Sequence, residues 1–418
     1  MCFMVCSTSF LTGGLLMDYL GIRCTCWVAS LLYLVGWGTL SLASLLKIGH
    51  IYMAALVLLA MVPAIIYVAG LGSAKMLHDV RHTHYVSASV SLCYEVSPFV
   101  IYLLQVCVPS YVSLVIATGG VAVVTAFLSG AMATTHITKK EAREIDEYNG
   151  LTSSGENGDH AAGDSEAELR NHLAHPRYIL QAIFMVVVNT KSQFYVATFS
   201  DQIEYFSTPE ETKLSNYLFD VGFSLSPFIA MPFVIIFLGR YRERYDIVFF
   251  WLWMMTMAHA ILNTWGKESL TCQMIAMTIF FILKPLKWAS AAEFIHQPPY
   301  KLVHYGRLFG AVSLLCGISA ASIYPLTKVT MIYFDGCFFN ANLFLTIIEG
   351  CIVIFPIYLH FEYHQGWPKS YELVSSAAKS SSAAGKREQE PLLRGSQSMS
   401  RFADNDQQII NDFDNKRN

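Results

Sequence analysis

Residues 14–23 read Gly14-Leu-Leu-Met-Asp18-Tyr-Leu-Gly21-Ile-Arg23 and form a short polar interruption between two apolar runs. The two glycines permit a tight turn and a close approach of helices, because neither carries a Cβ atom. Asp18 can accept hydrogen bonds from a facing helix end, and Arg23 can pair with a carboxylate across an interface. We therefore expect Asp18 and Arg23 to form a latch that holds one conformation.

The composition of the whole chain is that of a membrane protein. Of 418 residues, 54% are hydrophobic and 14% are charged, against about 25% charged in ordinary soluble domains. The charges gather between apolar stretches of about 20 residues, the length that crosses a hydrocarbon core about 30 Å thick. Such stretches must be helices, because lipid offers no partner to an open strand edge. The sequence therefore predicts an all-α, polytopic membrane protein.

The apolar stretches predict eleven membrane spans in two bundles. They lie near 3–18, 26–45, 51–73, 84–106, 110–132, 178–199, 215–238, 247–265, 271–289, 308–327 and 339–361. Residues 1–134 are the expected N-terminal bundle, and 178–361 are a C-terminal bundle of six helices. The stretches 135–177 and 362–418 are rich in Gly, Ser and charged residues, which predicts a disordered linker and a disordered tail.

Basic residues predict the orientation of the spans. One set of alternating loops carries most of them, among them Arg23, Lys139, Arg240 and Arg307. The positive-inside rule places this set in the cytosol. The linker and the C-terminal tail then both face the cytosol.

The stretch 14–23 fits the G-x-L-x-D-x-x-G-x-R pattern of the major facilitator superfamily, which lies between the second and third helices of those proteins. The resemblance implies a fold of two bundles that rock about a midplane site to give alternating access. If the span 3–18 matches the second helix, the linker falls between the sixth and seventh, and only the first helix is missing. We therefore expect either an incomplete gene model or a pseudo-transporter.

Four runs in the second half resemble solute carrier family 43. Phe194–Gln202 resembles the family's Y-x-G-T-L-N run, and Ser215–Pro227 resembles the helix that follows it. His304–Gly310 resembles the family's H-F-G-R/K-L-F/Y-G signature and is the most specific of these three. Lys284–Ala292 resembles a diverged form of the family's R-x-F-L-Y-G-S-N-A-A. The resemblance implies sodium-independent, facilitative transport of large neutral amino acids, with nucleobases carried by one branch of the family.

Polar side chains inside predicted spans are the candidate substrate-binding residues. An ionisable group within a span costs at least a few kcal/mol, so it is expected to face a cavity or a partner. The candidates are Glu95, Lys191, Tyr195, Thr198, Lys284, Trp288 and Ser290. Lys191 or Lys284 can hold a substrate carboxylate and Glu95 an amine, with aromatic rings forming an apolar pocket. Alternatively, Lys284 and Lys287 snorkel to the headgroups.

Several function classes stay open. The first is a facilitative carrier of large neutral amino acids. Two alternatives are a nucleobase carrier and a proton-coupled symporter in which Glu95 binds the proton. The last is a non-transporting scaffold. No pattern of nucleophile, base and oxyanion donors predicts an enzyme, and no metal or cofactor site is predicted. The net charge of −3 does not suggest a nucleic-acid partner. His259, Asn263 and Glu349 are interpreted as lone polar residues in helix–helix contacts.

The C-terminal tail contains a candidate sorting motif. Glu388-Gln-Glu-Pro-Leu392-Leu393 matches the acidic dileucine pattern that clathrin adaptors bind in cytosolic tails. A flexible tail gives such a motif the reach that an adaptor requires. We therefore expect a clathrin adaptor as a partner and either the plasma membrane or an endolysosomal membrane as the location.

Overall fold

The computed structural model describes most of the predicted bundle residues, and nearly all of these are helical. The described residues are 2–74, 110–132, 169–241, 244–266, 268–297 and 304–364, with the single positions 90, 99, 103, 107, 108 and 300.

The N-terminal half contains three described helices, and the first of them is broken. They are α1 (Cys2–Leu46), α2 (Gly49–Ala74) and α3 (Tyr111–Met132). The backbone of α1 leaves the helical conformation at Gly21, where φ is 77° and ψ is 168°, a combination that essentially only glycine adopts. Unbroken, α1 would be about 68 Å long, twice the thickness of a bilayer core. Gly21 therefore divides α1 into two parts at the predicted polar interruption.

The C-terminal half is described almost without a gap. Its helices are α4 (Pro176–Glu204), α5 (Pro209–Arg240), α6 (Tyr245–Trp265), α7 (Leu270–Ile295), α8 (Tyr305–Ala320), α9 (Ile323–Tyr333), α10 (Phe339–Cys351) and α11 (Ile354–His364). Helices α8 and α9 together cover the predicted span 308–327, and α10 and α11 cover 339–361. Residues 169–174, which the sequence analysis assigns to the linker, are also helical.

Local sequence signals explain where the helices of this half begin. Thr208 and Glu211 form a capping box at the start of α5, in which each side chain binds the other residue's backbone N–H group. Pro209 occupies the first turn, where its missing N–H group has no helical acceptor to lose. The Ser269 hydroxyl likewise accepts from the Cys272 N–H group at the start of α7.

Eight segments in the described part of the chain are long and apolar enough to cross a membrane. Large apolar side chains such as Leu31, Leu45 and Ile236 are 61–66% exposed on the surface of the helices. Their exposure favours a surface that contacts lipid over one that contacts water. The number of spans, eleven by sequence, stays a prediction. Most of 84–106 lies outside the described residues, and Gly21 divides the first of the eight segments.

Helix α1 forms a large part of the contact between the two halves. It packs against α2 and α3 of its own half and against α8 of the other. In the largest buried cluster, Phe10 of α1 and Tyr67 of α2 lie together with Phe309 of α8. The ring centroids of Phe10 and Phe309 are 6.0 Å apart, so the halves meet through a packed aromatic core.

Candidate functional site

Lys191 lies in the core of the C-terminal half, with 1% of its surface exposed. Its Nζ atom donates to Asn342 Oδ1 at 2.9 Å. The same oxygen accepts from Asn263 Nδ2 at 3.1 Å, and Asn342 Nδ2 donates to Gln202 Oε1 at 3.0 Å. One amide side chain therefore joins α4, α6 and α10 around the buried ammonium group. Asn263, which by sequence is a lone helix–helix contact, belongs to this network.

Thr198 and Gln202 continue the network along α4. Gln202 Nε2 donates to Thr198 Oγ1 at 2.6 Å, and Thr198 Oγ1 donates to the Phe194 carbonyl at 2.7 Å. From α7, Gln273 Nε2 donates to the Asn263 carbonyl at 3.2 Å. The polar side chains of Lys191, Thr198 and Gln202 on α4 are thus hydrogen-bonded within the C-terminal half.

Lys287 is a second buried lysine in the same half. It is 1% exposed, so the snorkelling alternative is wrong for this residue: its side chain points into the bundle. Its Nζ atom donates to Asn189 Oδ1 at 3.2 Å, and Asn189 Nδ2 donates to the Cys316 carbonyl at 3.5 Å. Ser290 is fully buried on the same helix, and its Oγ atom has no hydrogen-bond partner in the described part of the chain.

Tyr195 is the centre of an aromatic cluster built by α4, α5, α6 and α7. Its ring centroid lies 4.6 Å from that of His259 and 5.1 Å from that of Phe280. Phe199 and Phe219 follow at 5.5 and 6.1 Å. The Tyr195 side chain is fully buried, and its Oη atom has no hydrogen-bond partner among the described residues.

Lys284 lies at the edge of this aromatic cluster. Its Nζ atom is 3.5 Å from the centroid of the Phe223 ring, which stacks on Phe219 at 5.8 Å. Lys284 is only half-buried. A partly accessible cation beside a wall of aromatic rings suits a ligand that has a carboxylate and a large apolar group.

Trp288 lies where the two halves meet. Its ring stacks on Phe10 of α1, with centroids 6.1 Å apart and planes at 14°, and meets Phe309 of α8 at 6.2 Å. Two aromatic residues predicted for one pocket therefore occupy different places. Tyr195 belongs to the C-terminal cluster, and Trp288 to the contact between the halves.

Asp18 and Arg307 form an ion pair between the halves. Arg307 Nε donates to Asp18 Oδ2 at 3.0 Å, and both side chains are largely buried. The pair lies at the end of the bundles that the positive-inside rule assigns to the cytosol. Arg23, the other predicted latch residue, is exposed and forms no ion pair with the part of the chain that the structure describes.

Glycines let the backbones meet beside this ion pair. A Cβ atom added to Gly14 would overlap the backbone of Gly306, and one added to Gly306 would lie 2.8 Å from the Gly14 carbonyl oxygen. One turn further along α8, a Cβ atom at Gly310 would lie 2.6 Å from Leu11 Cα. The contact between α1 and α8 thus depends on residues without side chains.

A second cluster of charged side chains lies at the same end of the C-terminal half. Arg244 binds Asp246 through two hydrogen bonds of 2.9 Å, and the Asp246 carboxylate also contacts His360 Nδ1 at 3.0 Å. The bond to Asp246 raises the pKa of Arg244. This group ties α6 to α11 but does not reach the other half.

Some predicted residues lie outside the described residues: Glu95 and the sorting residues Glu388, Leu392 and Leu393. Sequence reasoning missed two others that the structure brings forward. Asn342 gives no sequence signal, because an uncharged amide in a span resembles an ordinary helix contact. Arg307 is part of the quoted signature, but its partner lies 289 residues away.

Solved transporter structures have a backbone arrangement similar to that of this chain. The E. coli fucose:proton symporter FucP has a TM-score of 0.60 at 13% identity, over 85% of this chain and 90% of FucP. FucP in the outward conformation gives 0.61 at 12% identity, over 85% and 89%. The human organic anion transporter MFSD10 (TETRAN) gives 0.58 at 13% identity, over 85% and 81%.

The chain has the major facilitator fold. At such low identity these likenesses establish the fold and leave the substrate open. No protein-family model matches the sequence. Protein FMP42 of Saccharomyces cerevisiae is 24% identical over 189 residues, which is 44% of this chain and 36% of that protein. The chain thus covers about a third of this curated relative.

Proposed function

We propose that the chain is a membrane transporter that moves a small solute by alternating access. The observation that carries the proposal is the contact between the halves of a major facilitator fold at one end, through Asp18 and Arg307. An interface made of one ion pair, glycine contacts and packed aromatic rings can open without unfolding either bundle. Rocking of the halves about a central site then exposes that site to each side in turn.

We propose large neutral amino acids as the substrates. Lys284 supplies a cation for a carboxylate, and the rings of Phe223, Phe219 and Phe280 supply an apolar surface beside it. The resemblance of 194–202 and 304–310 to solute carrier family 43 supports the same substrate class. A nucleobase carries no carboxylate, so it would form no ion pair with Lys284 and would depend more on the rings.

Uptake into liposomes containing the purified protein tests both parts of this proposal. Radiolabelled leucine, phenylalanine and adenine are supplied separately, and exchange against unlabelled solute is measured. We expect Lys284→Gln to reduce amino acid exchange at least tenfold, while Lys328→Gln, an exposed lysine on α9, leaves it unchanged. Exchange of adenine that does not depend on Lys284 would favour the nucleobase carrier, and no exchange of any solute would favour the scaffold.

We propose that the tail motif directs the protein to endolysosomal membranes through a clathrin adaptor. Support comes from Glu388, Leu392 and Leu393 alone. Imaging of a fluorescent fusion with Leu392→Ala and Leu393→Ala should show redistribution to the cell surface. An unchanged distribution would mean that the motif is silent.

A further inference from the structure

Glu349 is a carboxylic acid buried in the core of the C-terminal half. It lies on α10, two helical turns beyond Asn342, and is 1% exposed. Its Oε2 atom has no hydrogen-bond partner in the described part of the chain, and Glu349 forms no ion pair with any described residue. Its backbone carbonyl accepts a hydrogen bond from Trp253 Nε1 at 3.0 Å. Among the described residues, no cation contacts the enclosed carboxyl group.

Two lysines interact with Glu349 electrostatically, but each donates its hydrogen bond to another residue. Lys191 of α4 and Lys287 of α7 both interact electrostatically with Glu349. The Lys191 ammonium group, however, donates to Asn342 Oδ1, and that of Lys287 donates to Asn189 Oδ1. An ionised carboxylate enclosed in a membrane bundle costs several kcal/mol unless a cation contacts it. The arrangement therefore suits a neutral, protonated Glu349.

The helices packed against α10 contribute few other titratable groups. On α6 the buried ones include His259, which interacts electrostatically with both lysines, and Asp246 at the other end of the helix. The Asp246 carboxylate is bound by Arg244 and His360. Lys328 on α9 is exposed. Lys191 is therefore the group best placed to respond to a change of charge on Glu349. Its ammonium group is hydrogen-bonded to Asn342, which lies on the same helix as Glu349.

We propose that Glu349 is a proton-binding site in the core of the C-terminal half. In the conformation described here Glu349 carries a proton taken from water, and Lys191 is bound to Asn342. When the proton returns to water, the Glu349 carboxylate attracts Lys191 away from Asn342. Two alternative pairings of one lysine, with an amide or with a carboxylate, then distinguish the two protonation states. The proposal does not require the protein to be a transporter.

Infrared spectroscopy of the full chain in liposomes tests the site without a substrate. The C=O stretching band of protonated carboxyl groups is recorded while pH is raised stepwise. We expect Glu349→Gln to remove one component of this band, because the amide holds no titratable proton. Glu210→Gln is the matched control: it makes the same chemical change at an exposed position on α5 and should leave the band unchanged near neutral pH.

A second variant keeps the test decisive if Glu349→Gln fails to fold. Lys191→Met removes one of the two nearby cations and should move the midpoint of the same component to higher pH, since a neighbouring positive charge favours the ionised carboxylate. Loss of the component in Glu349→Gln, or this upward movement in Lys191→Met, supports the site. A band that is identical in wild type, Glu349→Gln and Lys191→Met overturns it.

Discussion

Asp18 of α1 and Arg307 of α8 lie 289 residues apart in the sequence and are joined by an ion pair of 3.0 Å between the two halves. A hydrogen bond to a charged partner contributes about 1.5–3 kcal/mol. Because this bond exists only while the halves touch, its whole contribution favours the conformation closed at this end.

Loss of the Asp18 charge should therefore shift the protein toward the conformation open at this end. Spin labels on cysteines introduced at Tyr19 and Arg240, one exposed position in each half, report the distance between the halves. We expect Asp18→Asn to increase the fraction of long distances, and the exchange Asp18→Arg with Arg307→Asp to restore short ones. An unchanged distance distribution in Asp18→Asn would show that the ion pair does not stabilise the closed conformation.

The glycine contact should respond to a single methyl group. Gly306→Ala places a Cβ atom against the Gly14 carbonyl and against Asp18 Oδ1, so we expect the same labels to move apart. Gly38→Ala is the control, because a Cβ atom there has no neighbour within 4 Å. In a helix interior that change stabilises by about 0.5–1 kcal/mol. Equal behaviour of the two variants would contradict the close approach of α1 and α8.

Replacement of Asn342 and replacement of Lys191 should not destabilise the protein equally. At acidic pH, where Glu349 is protonated and offers Lys191 no carboxylate, Asn342→Leu leaves a buried ammonium group without its acceptor and should destabilise the fold by about 3 kcal/mol or more. Lys191→Met removes the charge together with its need for a partner and should cost about 1 kcal/mol. Thermal unfolding in detergent measures both. The opposite order of stability would mean that Lys191 has another acceptor.

Protonation of Glu349 should affect transport if solute movement depends on the C-terminal core. Glutamine imitates the protonated acid, so Glu349→Gln should match the wild type at acidic pH, and the difference between them should grow as pH rises. Leucine exchange in liposomes between pH 5 and 8 measures this difference, with Glu210→Gln as the control. Identical pH profiles for wild type and Glu349→Gln would separate the proton site from transport.

The fold class and the place of the turn in α1 could be predicted from the sequence. Apolar stretches of bilayer length must become helices, because lipid satisfies no backbone group. The polar interruption at 14–23 needed a glycine, and Gly21 is where the helix breaks. These features depend on neighbours in the chain, so periodicity and residue type are enough to predict them.

The partners of polar residues were decided by the tertiary structure alone. Lys191 and Tyr195 share a helix at a spacing of one turn, yet one contacts Asn342 of α10 and the other an aromatic cluster with Phe280 of α7. Asp18 contacts Arg307 and not a residue near Arg23. Periodicity assigns a side chain to a face of a helix. Which helix covers that face depends on how the bundle packs, and that information is spread over residues hundreds of positions apart.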